Sequence, residues 1–379
     1  MISRFFSWLE NYVDSFPLAG ADKPKPRLLE FAYHYTKPFL PLLMASIAFS
    51  TAIAFIEVYL FAFIGNLVDL LANADRATFW QTNGLHLALM GGLVLLVMPI
   101  LNFLSEAISH QGLRGNFAMR TRWLAHRYVL RQSMDFFHND FAGRVATKVM
   151  QAAMGVRDAV MKVTEVVVYV AVYFLGAVIL VASSDWRLMI PLFIWLAGYA
   201  LCCWYFVPRL GKLSETQADM RSVVTGRVVD SYTNISTVKL FAHTDREDAY
   251  AEAAMREHLA KFQDQLRTIT ALNLLIWAIN GALIVTTVGL GLWLWGQGLV
   301  TIGAIALASG LTIRIVNMSS WIMWVMTGIF ENIGATQEGM AAISRPHEVV
   351  DRPQARPIAV EKGEIRYQAV TFHYGRDKG

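Results

Sequence analysis

Six stretches of this sequence run almost without charge for the length of a membrane crossing: residues 38–68, 86–104, 163–182, 188–207, 271–300 and 302–330. Each supplies the ~20 residues that span ~30 Å of hydrocarbon at 1.5 Å rise per residue. A single run of this kind fits the buried helix of a soluble core; six together do not. Composition agrees, because 55% of the 379 residues are apolar and only 16% are charged, where soluble domains average about 25%. The first, fifth and sixth runs exceed the minimum and are expected to tilt or continue into water. The expected fold is an all-α membrane protein of six spans.

Lysine and arginine set the orientation. The N-terminal arm holds five, the segments between spans two and three and between spans four and five hold nine each, and the tail holds seven. The three left over are Arg76, Arg187 and Arg314. Both termini and both long connections are therefore expected on the cytoplasmic side, with short outer turns. Trp80, Trp186, Trp293 and Trp295 fall where an interfacial belt belongs. Phe5, Phe6, Trp8, Leu9, Tyr12 and Val13 have roughly helical spacing with charges between. They read either as a helix on the inner membrane surface or as a partly ordered tail. Glu10 and Asp14 interrupt what a cleaved leader would need. The two cysteines, Cys202 and Cys203, are adjacent in an apolar run and read as small buried residues.

The long connections alternate apolar and charged residues at helical spacing, so the spans are expected to continue as two cytoplasmic helical hairpins. The first tip carries Phe136, Phe137, His138 and Gly143; the second carries Asp230, Tyr232, Ile235, Lys239 and Phe241. Exposed aromatics at a tip are costly unless covered, so a cytoplasmic protein surface is the expected partner.

Inside the membrane, Glu57 lies 12 residues before Asp69 and Arg314 lies 12 residues after Ile302. Both therefore stand about 18 Å from the outer ends of their spans. A lone charge at that depth costs on the order of 3 kcal/mol or more. Glu57 and Arg314 either pair, within one subunit or across a dimer, or are satisfied separately by Asn280, Asn317 or water. Trp277 and Asn280 in span five, with Asn317, Trp321, Met323 and Trp324 in span six, mix soft apolar and small polar groups. They would line a path for an amphipathic cargo, or pack against lipid and neighbouring helices.

These motifs, in this order, resemble the exporter-type ABC transporters, ATP-binding cassette proteins with six helices joined to a nucleotide-binding domain. Phe136, Phe137, Gly143 and Val145 are similar to the family's first coupling helix; Asp230, Ile235, Val238, Lys239 and Phe241 are similar to its second. Trp186, Arg187 and Leu188 match the start of span four. Gly363, Val370, Phe372, Tyr374 and Gly375 resemble the opening strands of the nucleotide-binding domain, with Tyr374 at the position that stacks on adenine. Asp230 stands where Glu is usual and Arg144 where an acidic residue is common. No G-x-x-x-x-G-K-S/T occurs in the 379 residues. The resemblance therefore implies ATP and Mg²⁺ only through a domain beyond Gly379, on the same polypeptide or another.

The resemblance implies a division into a cytoplasmic arm over 1–37, a transmembrane domain over 38–335, a linker over 336–360 and the start of a nucleotide-binding domain over 361–379. It also implies a second copy as partner, nucleotide-binding domains at the hairpin tips, a bacterial inner membrane, and ATP-driven export of an amphipathic or lipid-like substrate. No nucleic-acid partner is expected, and no catalytic constellation or metal set stands out. A secondary transporter independent of ATP, or a membrane scaffold that binds a cytoplasmic protein, are the alternatives.

Overall fold

The computed structural model describes residues 2–18, 22–138, 142–351, 354–356 and 363–371, and every regular element among them is helical. Among the described residues, six helices are long and apolar enough to cross a membrane.

Helix α1 (Ile2–Glu10) precedes α2 (Leu28–Thr36), which leads through a short turn into α3 (Leu40–Asn73), the first span. Pro41 sits in the first turn of α3, where its missing N–H removes no helical bond. Span two is one rod made of α4 (Phe79–Gly92), α5 (Met98–Ala107) and α6 (Gly115–Val129). These are joined by π-helical segments at Leu93–Val97 and Ile108–Arg114. After the short α7 (Met134–His138), span three runs through α8 (Ala142–Met161), a π-helical segment at Lys162–Val167, and α9 (Val168–Ser184). The sequence marks the spans but not these π turns, which widen the helix locally and re-aim side chains. Asp185 accepts a 2.8 Å bond from the Arg187 N–H and closes the turn into α10 (Ile190–Thr233), the fourth span. The short α11 (Ile235–Leu240) separates α10 from α12 (Thr244–Gly296), and α13 (Ile302–Ile343) is the sixth span.

At 53 residues, α12 is about 80 Å long, more than twice the hydrocarbon thickness. Spans four and five pack along each other, and the water-side extension of span three packs on span six. The fifth span ends at Gly296 rather than 300, because Gly298 turns the chain at φ +71°. The sixth continues through position 335 to Ile343.

Two cores hold the bundle. One lies within the spans around Tyr173, Leu188, Leu192, Leu294 and Leu311. The other gathers Leu9, Phe31, Phe39, Leu113, Phe117, Val156 and Ile343, tying the N-terminal elements to spans two, three and six. The N-terminal arm is thus a docked helix followed by a strap. Asn116, Arg120, Trp123 and Arg127 recur on one face of span two and donate to the backbone carbonyls of Glu10, Asp14, Pro17 and Leu18. At the opposite end of the bundle, Asp69 accepts from the Thr301 hydroxyl at 2.6 Å and the Gly303 N–H at 2.7 Å. There the backbones of spans one and six cross at Gly65 and Gly303, and a Cβ on Gly65 would stand 2.8 Å from the Gly303 carbonyl oxygen. Residues 363–371 carry no regular element, and Phe372, Tyr374 and Gly375 lie outside the described residues.

Candidate functional site in the membrane and at the hairpin tips

Glu57 and Arg314 meet within one chain. An Arg314 Nη2 hydrogen donates to Glu57 Oε2 at 2.9 Å, and the Tyr169 hydroxyl, from span three, donates to the same oxygen at 2.6 Å. The same Arg314 nitrogen lies 3.2 Å from the Tyr169 oxygen and donates to it. Three groups from three spans thus satisfy one another where unpaired charges would be expensive. Tyr169 is missed by a search for charge, although it stands about 10 Å along span three from Lys162.

The cluster lines a cavity of about 480 Å³. Span one contributes Ser50, Ile53 and Glu57; span two contributes Asn102 and Glu106; span six contributes Arg314, Asn317, Met318 and Trp321. Glu106 accepts from His110 Nδ1 at 2.8 Å when that nitrogen carries its proton. Asn102 and Glu106, one helical turn apart near one end of span two's apolar stretch, also escape a sequence reading, since polar residues at span ends are ordinary.

The remaining expected path residues lie elsewhere. Asn280 is buried between spans: its Oδ1 accepts from Trp195 Nε1 at 2.8 Å and its Nδ2 donates to Ser319 Oγ at 2.9 Å. Interhelical amides of this kind hold spans together. Trp277 is 76% exposed on the outside of the bundle. Met323 packs against the intramembrane core, and Trp324 sits under the Lys162 ammonium, 5.5 Å from its ring centroid. Cys202 is buried and Cys203 half-buried, both as free thiols.

The two hairpin tips differ. The expectation of exposed aromatics does not hold for Phe136, which is buried. It packs into the core around Leu113, Phe117 and Ile343, and the Arg345 guanidinium lies 5.8 Å from its ring centroid. Arg345 comes from the chain leaving span six. Its carbonyl accepts from the Tyr128 hydroxyl at 2.6 Å and from Gln132 Nε2 at 2.9 Å, so this segment covers the tip. Phe137 is half-buried and His138 exposed. Gly143 lies near the start of α8. At the second tip Tyr232, Ile235, Lys239 and Phe241 are all exposed. There Asn234 breaks the helix and Ala242 reverses it at φ 54°.

Comparison with known proteins fits this architecture. Residues 42–320 match the family model described as the ABC transporter transmembrane region. The chain belongs to the ABC transporter family. All of it aligns, at 39% identity, with a Haemophilus influenzae protein named as an uncharacterized ABC transporter ATP-binding protein. Over 68% of its length it is 23% identical to an ATP-dependent lipid A-core flippase of Desulfotalea psychrophila. It spans 61% and 45% of those two relatives' lengths. In three dimensions it resembles a solved bacterial Atm1-family ABC exporter with ATP bound, at TM-score 0.64 and 18% identity, over 86% of this chain and 56% of that one. This ABC transporter chain therefore has the exporter-type transmembrane fold.

Proposed function

We propose that the chain is the permease part of an ATP-driven exporter that moves an amphipathic or lipid-like substrate across a bacterial inner membrane. Two copies would enclose the path. Nucleotide-binding domains carrying ATP and Mg²⁺ would dock at the cytoplasmic tips, with Tyr374 stacking on adenine as the resemblance implies. Nucleotide would bind one arrangement of those domains more tightly than the other, and the hairpins would pass that difference to the spans.

The observation that carries this reading is the cavity around Glu57, Tyr169 and Arg314, where a polar site sits in the apolar span region with Trp321 beside it. Polar groups at that depth are a mark of transport pathways. The exposed second tip, with Tyr232, Ile235 and Phe241, supports a cytoplasmic docking partner. The names carried by the relatives, one a flippase and one an ATP-binding protein, agree with the class.

The deciding experiment reconstitutes the full-length protein in liposomes and measures ATP hydrolysis and movement of a fluorescent lipid between leaflets. ATP-dependent movement that is lost on substituting Arg314 is the expected result. Movement that persists without nucleotide would instead favour a secondary transporter.

A further inference from the structure

The charge balance of the cavity bears on the kind of cargo it holds. Arg314 is the one cationic side chain among the described lining residues, and Glu57 and the Tyr169 hydroxyl already engage it. Glu106 is the second carboxylate, with its side chain 68% exposed and His110 as its ion-pair partner. With that imidazole neutral, the lining carries two carboxylates against one guanidinium. Glu165 lies behind this wall beside Ser109, among Arg114, Glu106 and His110, so its surroundings are mixed in sign and leave the balance of the lining to the lining itself. The indole on the same lining is that of Trp321. Three residues on, Trp324 already carries an ammonium on its face, that of Lys162. Indole faces attract cations, more strongly where water is scarce.

We propose that this cavity binds the positively charged group of a lipophilic amine. Glu106 is the anionic contact, Trp321 the cation-facing wall, and the Glu57–Tyr169–Arg314 cluster a neutral floor. The alkyl part of such a cargo lies toward Ile53 and Met318. This rests on reading the cavity as the cargo site.

The test uses full-length protein in lipid nanodiscs at pH 8, above the range in which imidazoles ordinarily titrate. Equilibrium binding is measured for radiolabelled decyltrimethylammonium, decyl sulfate and decyl maltoside, with uptake by empty nanodiscs subtracted. The cation is expected to bind about tenfold tighter than the anion. Glu106→Gln should remove most of that preference while leaving decyl maltoside binding unchanged. Asn102→Asp, one turn away on the same wall, should increase it and guards against misfolding of a single variant. Equal binding of cation and anion, or a preference untouched by Glu106→Gln, overturns the proposal. Saturable, Glu106-dependent cation binding with neither ATPase stimulation nor transport would sink the export reading and keep the site. ATP-driven transport confined to anionic or neutral amphiphiles would do the reverse.

Discussion

At the scale of single residues, Glu57 and Arg314 show how a membrane interior forces partners on charged groups. Replacing either alone leaves the other's charge without its counter-ion, at a cost of about 1–3 kcal/mol where the site is partly open. Glu57→Gln and Arg314→Gln should each lower the thermal midpoint of the detergent-solubilised protein. The exchange Glu57→Arg with Arg314→Glu should restore part of it, which differential scanning fluorimetry would register. Asn280 gives a contrasting expectation. Because it bonds Trp195 and Ser319 between buried helix faces, Asn280→Ala should reduce stability and leave cargo affinity unchanged. The depth of Glu57 and Arg314 was readable by counting residues from span ends, since helical rise is fixed. Tyr169 and Glu106 were not, because a tyrosine or an end-of-span glutamate carries no signal until its neighbours are known.

At the scale of elements, the two hairpin tips call for different tests. Phe136 is buried under the segment that leaves span six, so Phe136→Ala should cost about 3 kcal/mol of stability. Phe241 and Tyr232 are exposed. Their alanine variants should fold normally, yet break the link between ATP hydrolysis and transport in the full-length protein, seen as hydrolysis no longer stimulated by cargo. The sequence showed both tips as aromatic, but the cover over the first comes from Arg345, more than two hundred positions away, which no local pattern reveals. The N-terminal strap is similar. Periodicity left its first helix open between two readings; the partners that hold it and the segment after it, the core around Leu9 and the row of donors from Asn116 to Arg127, lie about a hundred positions away. Trp123→Ala combined with Arg127→Ala should expose the segment up to residue 18 to limited proteolysis without disturbing the spans. The π-helical segments were invisible for a different reason: a change from four-residue to five-residue bonding leaves no trace in composition.

At the scale of the whole molecule, the six spans follow from apolar length alone, while their neighbours do not. That span two lies at the periphery and span six touches spans one, three and five depends on complementary surfaces far apart in the chain. The short turns near Asp75 and Gln297, expected outside, offer a direct check of orientation. In a background with Cys202 and Cys203 replaced by serine, single cysteines at these positions should react with a membrane-impermeant thiol reagent added outside intact cells. A cysteine at Tyr232 should react only after permeabilisation. Reaction in the opposite pattern would invert the topology set by the lysines and arginines.

The junction of Gly65, Asp69, Thr301 and Gly303 pins spans one and six together at one end like the rivet of a pair of scissors, and the blades meet again at Glu57–Arg314 and in the core that holds Phe39 with Ile343. Arg314 lies about 16 Å from that rivet and Ile343 about 60 Å from it. A turn of ~10° would separate Arg314 from Glu57 by ~3 Å, enough to part their contact, and would swing the far end by ~10 Å. The charged contact near the rivet and the chain at the far end would then register the same rotation, one as a bond made or lost and the other as a long sweep. Adding a methyl group at Gly303 would jam the rivet, so Gly303→Ala should cost about 1–3 kcal/mol and hold the blades at a fixed angle.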